Sequence, residues 1–198
     1  MPQIDVIRRS QGDEEAQRLE YEVFVDSGYI EPNAQGHVLE YDAYPEAEFL
    51  VLTVDKAPAG AVRLIYDHAR PFPEMRIPTL TDFPLLPEVR EQHSDLDCAE
   101  SLEVGTMAIA KPYRGRQTLN TLLEAILHRS WEQGIWNIFA SLDEKYFHFL
   151  VKHGYPFRAI GEKRHYMGSV TVPALLLSDD FEGRFQTMYL PYRKAHRS

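Results

Sequence analysis

The sequence contains only one cysteine, Cys98, among its 198 residues. A single cysteine excludes an internal disulfide and is typical of a reducing compartment. Long apolar runs are missing too, since none approaches the roughly 20 residues of a membrane-spanning helix. The N-terminal stretch MPQIDVIRRSQGDEE lacks the apolar segment of a signal peptide. We therefore expect a cytoplasmic protein without integral membrane association.

Positive charge is scarce, with 21 Lys and Arg against 30 Asp and Glu, for a net charge of −9. Nucleic-acid-binding proteins gain affinity by neutralising phosphates, so no nucleic-acid partner is expected. A small basic group nevertheless lies at Lys111, Arg114 and Arg116. It is either a docking site for one anionic partner or a solvated loop.

Metal-binding and nucleophile motifs are also missing. There is no CxxC pair, and the histidines lack metal-ligand spacing with carboxylates, so no metal is predicted. The acidic setting of Cys98, HSDLDCAES, raises a thiol pKa and disfavours a cysteine nucleophile. No serine–histidine–acid arrangement suggests a covalent acyl-enzyme, so direct transfer is the simpler chemistry.

Hydrophobic periodicity predicts one domain over residues 1–198 with alternating helices and strands. The predicted helices cover 13–24, the region from 119 to 131 (ending before Gly134), 143–153 and the tail from 179; the predicted strands cover 49–54, 61–66, 102–109, 135–142 and 170–177. This order predicts an α+β fold with a central mixed, mostly antiparallel sheet flanked by helices. Residues 67–98 read as a long proline-rich excursion, with or without a short helix, placed to cover an acceptor site.

The stretch EVGTMAIAKPYRGRQTLNTLL, 103–123, reads as a buried strand, a basic loop and an amphipathic helix. This layout is typical of an anion bound at a helix N-terminus. The loop KPYRGRQ has one glycine, where a phosphate-binding loop has two or three.

The segment YRGRQTL, 113–119, resembles the R-x-x-G-x-G loop of GNAT acyltransferases, although Gln117 and Leu119 replace the later glycines. The stretch DEKYFHFLVKHGY, 143–155, is similar to the terminal Y-x-K-x-G-[FY] element of that family. The resemblance implies that the loop binds the phosphate of an acyl thioester donor. The residues concerned are Lys111, Arg114, Gly115, Arg116, Gln117 and Thr118.

The N-terminal half resembles LuxI-type acyl-homoserine lactone synthases, through YEVFV at 21–25, LEYDAY at 39–44, RL at 63–64 and EVG at 103–105. Those enzymes carry arginines where this chain has Glu20 and Thr106. The sequence is therefore more similar to the sister group, long-chain N-acyl amino acid synthases of the FeeM type. That resemblance implies acylation of an amino acid, tyrosine favoured, with acyl carrier protein as donor.

An acyl carrier protein presents its acyl chain on phosphopantetheine, which has a single phosphate and no adenine nucleotide. A loop with one glycine and several cations suits that donor better than coenzyme A, and its cations match an acidic carrier surface. No covalently bound cofactor is predicted. Coenzyme A-dependent acetyl transfer, lactone synthesis and a non-catalytic carrier-binding module remain alternatives.

Glu103 is the candidate general base, because it is the one charge in an apolar strand and burial would raise its pKa. Its alternative is a strand-end glutamate in a salt bridge or facing solvent. Backbone N–H groups near Met107 and Ala108 are candidates for the oxyanion site.

Charged and aromatic residues are candidates for substrate contacts. Glu40 and Asp42 would bind the substrate ammonium or lie in a solvated acidic loop. Arg63 would bind the substrate carboxylate or form an internal salt bridge to Glu40 or Asp42. The residues predicted to line an acyl tunnel, or to be ordinary core, include Trp136, Phe139 and Phe147.

Overall fold

The computed structural model describes residues 3–8, 13–44, 47–67, 70 and 72–196. Within these residues the chain forms six α-helices and eight strands. The helices are α1 (Glu14–Asp26), α2 (Pro78–Asp82), α3 (Pro87–Gln92), α4 (Arg116–Glu132), α5 (Glu144–Lys152) and α6 (Gly183–His196). The strands are β1 (Gln3–Arg8), β2 (Glu48–Val54), β3 (Ala57–Ile65), β4 (Ser101–Ile109), β5 (Asn137–Asp143), β6 (Phe157–Ala159), β7 (Arg164–Tyr166) and β8 (Ser169–Leu177). The predicted α+β class is confirmed.

Two compact units make up the chain. The first comprises Met1–Ile65 and Val104–Leu127, and the second comprises Tyr66–Glu103 and His128–Ser198. Each unit is assembled from two stretches of sequence, and the boundaries fall inside β4 and inside α4. The expectation of a single domain over residues 1–198 stays a prediction.

In the first unit the strands run in the order β1-β2-β3-β4. The predicted hairpin is confirmed as antiparallel β2 and β3, in which Phe49 is paired with Arg63. The predicted turn over 55–60 is too long, because 57–60 already belong to β3. Asp55 and Lys56, at φ 50° and 66°, make the whole turn. Two central residues with positive φ match the right-handed twist of the strands.

Helix α1 covers this hairpin with one apolar face. Ala16 and Leu19 of the helix pack against Phe49, Val51 and Ala61, and all five side chains are buried. The predicted helix over 13–24 is confirmed and continues to Asp26. Spacing of three residues places Ala16 and Leu19 on the same side of the helix, so their burial fixes its orientation on the strands.

Helix α4 follows the basic loop and lies close to β3. The Ala110 N–H, at the start of the loop, donates to the Ala59 carbonyl at 3.0 Å. A Cβ on Gly60 would lie 2.8 Å from Leu122 Cδ1, so a larger residue there would require the Leu122 side chain to shift. These two contacts position the loop at the end of β4.

In the second unit β8 pairs antiparallel with β5, β6 and β7. The strand predicted over 135–142 is observed as β5, which begins two residues later than predicted, at Asn137. The predicted strand over 170–177 is confirmed as β8. Strands β6 and β7 have three residues each. Such short segments show no readable alternation, so the sequence did not predict them.

The core of the second unit is rich in aromatic side chains. Trp131 of α4 is fully buried, and its ring lies 5.8 Å from Phe181 and 5.5 Å from Tyr189 of α6. Its indole N–H donates to Ser178 Oγ at 3.0 Å, which satisfies the one polar atom of the ring. Gly134, at φ +72°, ends α4 as predicted.

The proline-rich excursion 67–98 is packed rather than an open loop. Its described residues include α2 and α3, where one short helix at most was predicted. Phe72 stacks on Phe139 of β5 with ring centroids 6.5 Å apart, and Ile77 and Phe83 are buried. Whether this segment moves as a lid stays a prediction.

Candidate active site

Glu103 lies on β4 with 1% of its surface exposed. Burial raises the pKa of its carboxyl from the ordinary value of 4.5 to about 8, although two hydrogen bonds from Thr79 lower it. Asp82 is a further charged group that raises the pKa of Glu103. Glu103 does not face solvent, and no ion pair joins it to a residue that the structure describes. Both of its oxygens accept from Thr79 inside the second unit.

Thr79 is the partner that sequence reasoning missed. It stands at the second position of α2, directly after Pro78. N–H groups in the first turn of a helix lack intrahelical acceptors, and the Thr79 N–H donates to Glu103 Oε2 at 2.8 Å. The Thr79 hydroxyl donates to Glu103 Oε1 at 3.0 Å. Proline at the first helical position is the signal that predicts a helix start here.

Ser141 extends this hydrogen-bonded group. Its hydroxyl oxygen lies 2.8 Å from Thr79 Oγ1, and the residue, on β5, is half-buried. Glu103, Thr79 and Ser141 thus form a continuous chain of hydrogen bonds from a buried carboxyl to a half-buried serine. Nothing in the sequence pattern pointed to Ser141.

The basic loop lies in the first unit, after β4. A 3₁₀ turn covers Lys111–Tyr113, and the Arg114 Nε donates to the Ile109 carbonyl at 3.2 Å. Helix α4 starts at Arg116. Of the residues predicted to bind the donor phosphate, Thr118 is half-buried. The other five are exposed: Lys111, Arg114, Gly115, Arg116 and Gln117.

Gly115 occupies open space within this loop. A Cβ added there would meet no atom of the described chain within 4 Å, and its φ is not in the left-handed region. Neither the turn nor internal packing therefore demands glycine at this position.

The predicted oxyanion residues lie further along β4. Ala108 is fully buried and Met107 half-buried. Successive side chains alternate between the faces of a strand, so Glu103 and Met107 share one face and Ala108 takes the other. The role of their backbone N–H groups stays a prediction.

Arg63 has an internal carboxylate partner. Its Nε donates to Glu20 Oε1 at 2.9 Å and its Nη2 donates to Glu20 Oε2, with both residues buried. The Thr106 hydroxyl donates to the same carboxylate. The guanidinium also lies 4.9 Å and 4.5 Å from the ring centroids of Tyr41 and Phe49.

This cluster corrects the predicted partner of Arg63, which is Glu20 rather than Glu40 or Asp42. Helix α1 packs on β3, so it brings Glu20 to the buried guanidinium, whereas Glu40 and Asp42 are exposed. Asp42 instead accepts from His37 at 2.9 Å. The arginine thus already has a bidentate carboxylate, and a role in binding the substrate carboxylate stays a prediction.

The predicted aromatic residues differ in burial. Trp136 and Phe139 have core partners: the Trp136 ring lies 5.6 Å from Tyr189 and 4.7 Å from the Arg193 guanidinium. Phe139 is fully buried against Phe72. Phe147 on α5 is half-buried. The lining of an acyl tunnel by these side chains stays a prediction.

Cys98 is buried and its Sγ accepts from the Arg70 N–H at 2.9 Å. Burial and the nearby carboxylates of Asp97 and Asp67 raise the pKa of the thiol, which disfavours the thiolate form that a nucleophile requires.

No group of three or more His, Cys, Asp or Glu in the described part of the chain is arranged to hold a metal ion. No helix among the described residues is long and apolar enough to span a membrane.

The family described as N-acyl amino acid synthase FeeM matches residues 15–180. The chain belongs to this family. It is an N-acyltransferase, and the resemblance deduced from YRGRQTL and EVG is confirmed. No curated protein sequence matches the chain significantly.

Solved structures show the same fold at low sequence identity. FeeM, an N-acyl amino acid synthase from uncultured soil microbes, is 18% identical with a TM-score of 0.58, and the match covers 98% of each chain. The coenzyme A-dependent acyl-homoserine lactone synthase BjaI, with S-adenosylmethionine and isopentyl-CoA, is 17% identical with a TM-score of 0.74, over 96% of this chain and 89% of BjaI. The lactone synthase LasI is 15% identical with a TM-score of 0.70, over 96% and 95%. The predicted GNAT-like fold is thereby confirmed.

Proposed function

We propose that this N-acyltransferase moves a long-chain fatty acyl group from the phosphopantetheine of an acyl carrier protein to the α-amine of an amino acid, with tyrosine the favoured acceptor. The observation that carries the proposal is Glu103, a buried carboxyl with a pKa of about 8 in a family of N-acyl amino acid synthases. We place the reaction in the cytoplasm.

The reaction needs a base on the acceptor side. At neutral pH the α-amine of a free amino acid is mostly an ammonium, so it must lose a proton before it attacks the thioester carbonyl. A base works best when its pKa lies near the operating pH, and Glu103 meets that condition. The C–N bond forms, the C–S bond breaks and the carrier thiol leaves, without a covalent acyl-enzyme.

The basic loop supports an acyl carrier protein as donor. Lys111, Arg114 and Arg116 are exposed and offer cations both to the phosphate and to an acidic carrier surface. The open space around Gly115 leaves room for a phosphate to approach the backbone. Gln117 and Thr118 complete the first turn of α4, where free N–H groups favour anions.

Contacts to the oxyanion, the acceptor ammonium and the acyl chain complete the proposed site. The N–H groups near Met107 and Ala108 would stabilise the oxyanion, and the exposed Glu40 and Asp42 would attract the acceptor ammonium. Of the three predicted aromatic residues, Phe147 is the one proposed to meet an acyl chain, since it is half-buried, whereas Trp136 and Phe139 are buried in the core.

Coenzyme A is the alternative donor, because the BjaI structure, which shares the fold, holds isopentyl-CoA. Incubating the purified chain with acyl–carrier protein or acyl-CoA, each with tyrosine, separates the two donors. We expect faster turnover with the carrier protein. A lactone synthase would instead consume S-adenosylmethionine and release methylthioadenosine, which a third incubation detects.

The central test is mass spectrometry of lipid extracts from bacteria that express the chain. We expect new N-acyl amino acids in cells with the unchanged sequence and none with Glu103→Gln. Glu100→Gln is the matched control, because Glu100 is exposed and lies three residues away. Cells in which no variant makes an acylated amine would refute the proposed function and favour a carrier-binding role.

A further inference from the structure

The carboxylate of Glu103 is sealed from solvent. The residue is 1% exposed, Thr79 is fully buried, and both Glu103 oxygens already accept hydrogen bonds from Thr79. A substrate amine therefore has no open path to this base. If Glu103 accepts the proton, another group must carry that proton inward.

The direction of these hydrogen bonds depends on the charge of Glu103. When its carboxyl is deprotonated, Thr79 Oγ1 donates to Glu103 Oε1 and acts as acceptor in the 2.8 Å contact with Ser141. The Ser141 hydroxyl then donates to Thr79, and its oxygen lone pairs are left for a donor on the other side. Ser141 is half-buried, whereas Glu103 and Thr79 are buried, so it is the member of the three through which a substrate amine would connect to the others.

We propose that Ser141 and Thr79 form a proton relay that connects the substrate amine to Glu103. Ser141 is the residue that touches the amine, and Thr79 is a positioning residue that acts through its two neighbours. The inference rests on the proposed function, because the proton it moves is the one released when an amine attacks a thioester.

The proton balance closes within the chain. The ammonium first loses one proton to solvent and becomes the neutral amine. As the C–N bond forms, the nitrogen gives a second proton to Ser141 Oγ, Ser141 gives its own proton to Thr79 Oγ1, and Thr79 gives its own to the deprotonated carboxylate of Glu103. When the tetrahedral adduct collapses, the C–S bond breaks and the departing thiolate receives the Glu103 proton through the same groups in reverse. Thioester and amine become amide and thiol, and each hydroxyl ends with one proton.

A purely structural role would not require the Thr79 hydroxyl. The backbone N–H of Thr79 bonds to Glu103 Oε2 by itself and ties the start of α2 to β4. Thr79→Val keeps this bond and the side-chain shape while it removes the relay oxygen. Thr81 provides the matched control, because among the described residues its hydroxyl bonds to Ile77, Pro78 and Asp82, near its own helix turn.

The experiment measures steady-state kinetics with acyl–carrier protein and tyrosine. We expect Thr79→Val and Ser141→Ala to lower kcat by at least about 10-fold, with KM for tyrosine changed less than about twofold. Thr79→Ser keeps a hydroxyl and should recover most of kcat, and Thr81→Val should match the wild type. Wild-type kcat in Thr79→Val or Ser141→Ala would overturn the relay.

Two further readouts separate proton transfer from simple misplacement. In mixtures of H₂O and D₂O, the wild-type rate should curve with deuterium content because several protons move together, whereas Ser141→Ala should give a straight line. NMR titration of the Glu103 carboxyl needs no substrate. Loss of the Thr79 hydroxyl bond should raise the pKa of Glu103 in Thr79→Val, because that bond lowers it and Asp82 is unchanged. An unchanged titration would refute the relay.

Failure of the relay differs from failure of the proposed function. A wild-type protein that acylates no amino acid from carrier protein or coenzyme A refutes the function. An active wild type with equally active relay variants refutes the relay alone.

Discussion

Replacing Glu103 by glutamine should make the stability of this protein less dependent on pH. Burial holds the pKa of the folded-state carboxyl at about 8, against an ordinary value of 4.5. The folded protein therefore binds more protons than the unfolded chain between these two values. The contribution of this proton to the free energy of unfolding is fully present below about pH 4.5. It decreases as pH rises toward 8, because the folded state must either keep a proton or bury a charge.

The size of the effect follows from that difference, about 8 minus 4.5, or about 3.5 pKa units. Each pKa unit corresponds to about 1.4 kcal/mol, so the full effect is on the order of 5 kcal/mol and about 4 kcal/mol falls between pH 5 and pH 9. Glutamine has no such titration. Its carbonyl can accept from the Thr79 N–H, and its amide can donate to Thr79 Oγ1, so the contacts are kept.

The assay is urea unfolding of the wild type, Glu103→Gln and the exposed control Glu100→Gln at pH 5, 7 and 9. Between pH 5 and 9 the wild type should lose about 4 kcal/mol more unfolding free energy than Glu103→Gln, and Glu100→Gln should follow the wild type. Parallel curves for all three proteins would show that Glu103 titrates normally. The reasoning that makes it a base at neutral pH would then be wrong.

Three other predictions concern the first unit. Glu20→Gln should destabilise the fold by about 3–5 kcal/mol in urea unfolding, because it leaves the buried charge of Arg63 uncompensated. Gly105→Ala should lower the free energy of unfolding by about 1–3 kcal/mol, since its Cβ would lie 2.7 Å from Ile65 Cδ1. Gly115→Ala should leave stability unchanged and raise only KM for the donor, because no atom of the described chain lies near its Cβ. Arg114→Glu should raise KM for acyl–carrier protein, with a smaller effect at high salt, while kcat stays near the wild-type value.

Each of these has a control and a contrary outcome. Arg90→Glu changes an exposed arginine outside the basic loop and should leave KM for the carrier protein unchanged. Equal KM values for the Arg114 and Arg90 variants would show that the basic loop does not bind the carrier protein. Equal stabilities for Gly105→Ala and Gly115→Ala would contradict the close packing at Gly105. A Glu20 variant as stable as the wild type would mean that Arg63 finds another partner.

Periodicity predicted the elements that carry the site. The apolar face of α4 and the glycine that ends it are both where the pattern placed them, because repeated spacing and a left-handed terminal residue are local properties. The basic loop was readable for the same reason, as a strand followed directly by cations and a helix. The apolar neighbours of Glu103 along β4 made it the candidate base but left a salt bridge or a solvent-facing position open, and the structure showed that the residue is buried.

The sequence by itself determined the family and the secondary structure around the basic loop, since each depends on residues that are close along the chain. Only the tertiary structure decided the partners. Thr79 lies 24 positions from Glu103 and 62 from Ser141, and Thr106 lies 86 positions from Glu20. Such pairs meet because strands and helices pack face to face, and the periodicity of one sequence does not predict which faces pack together.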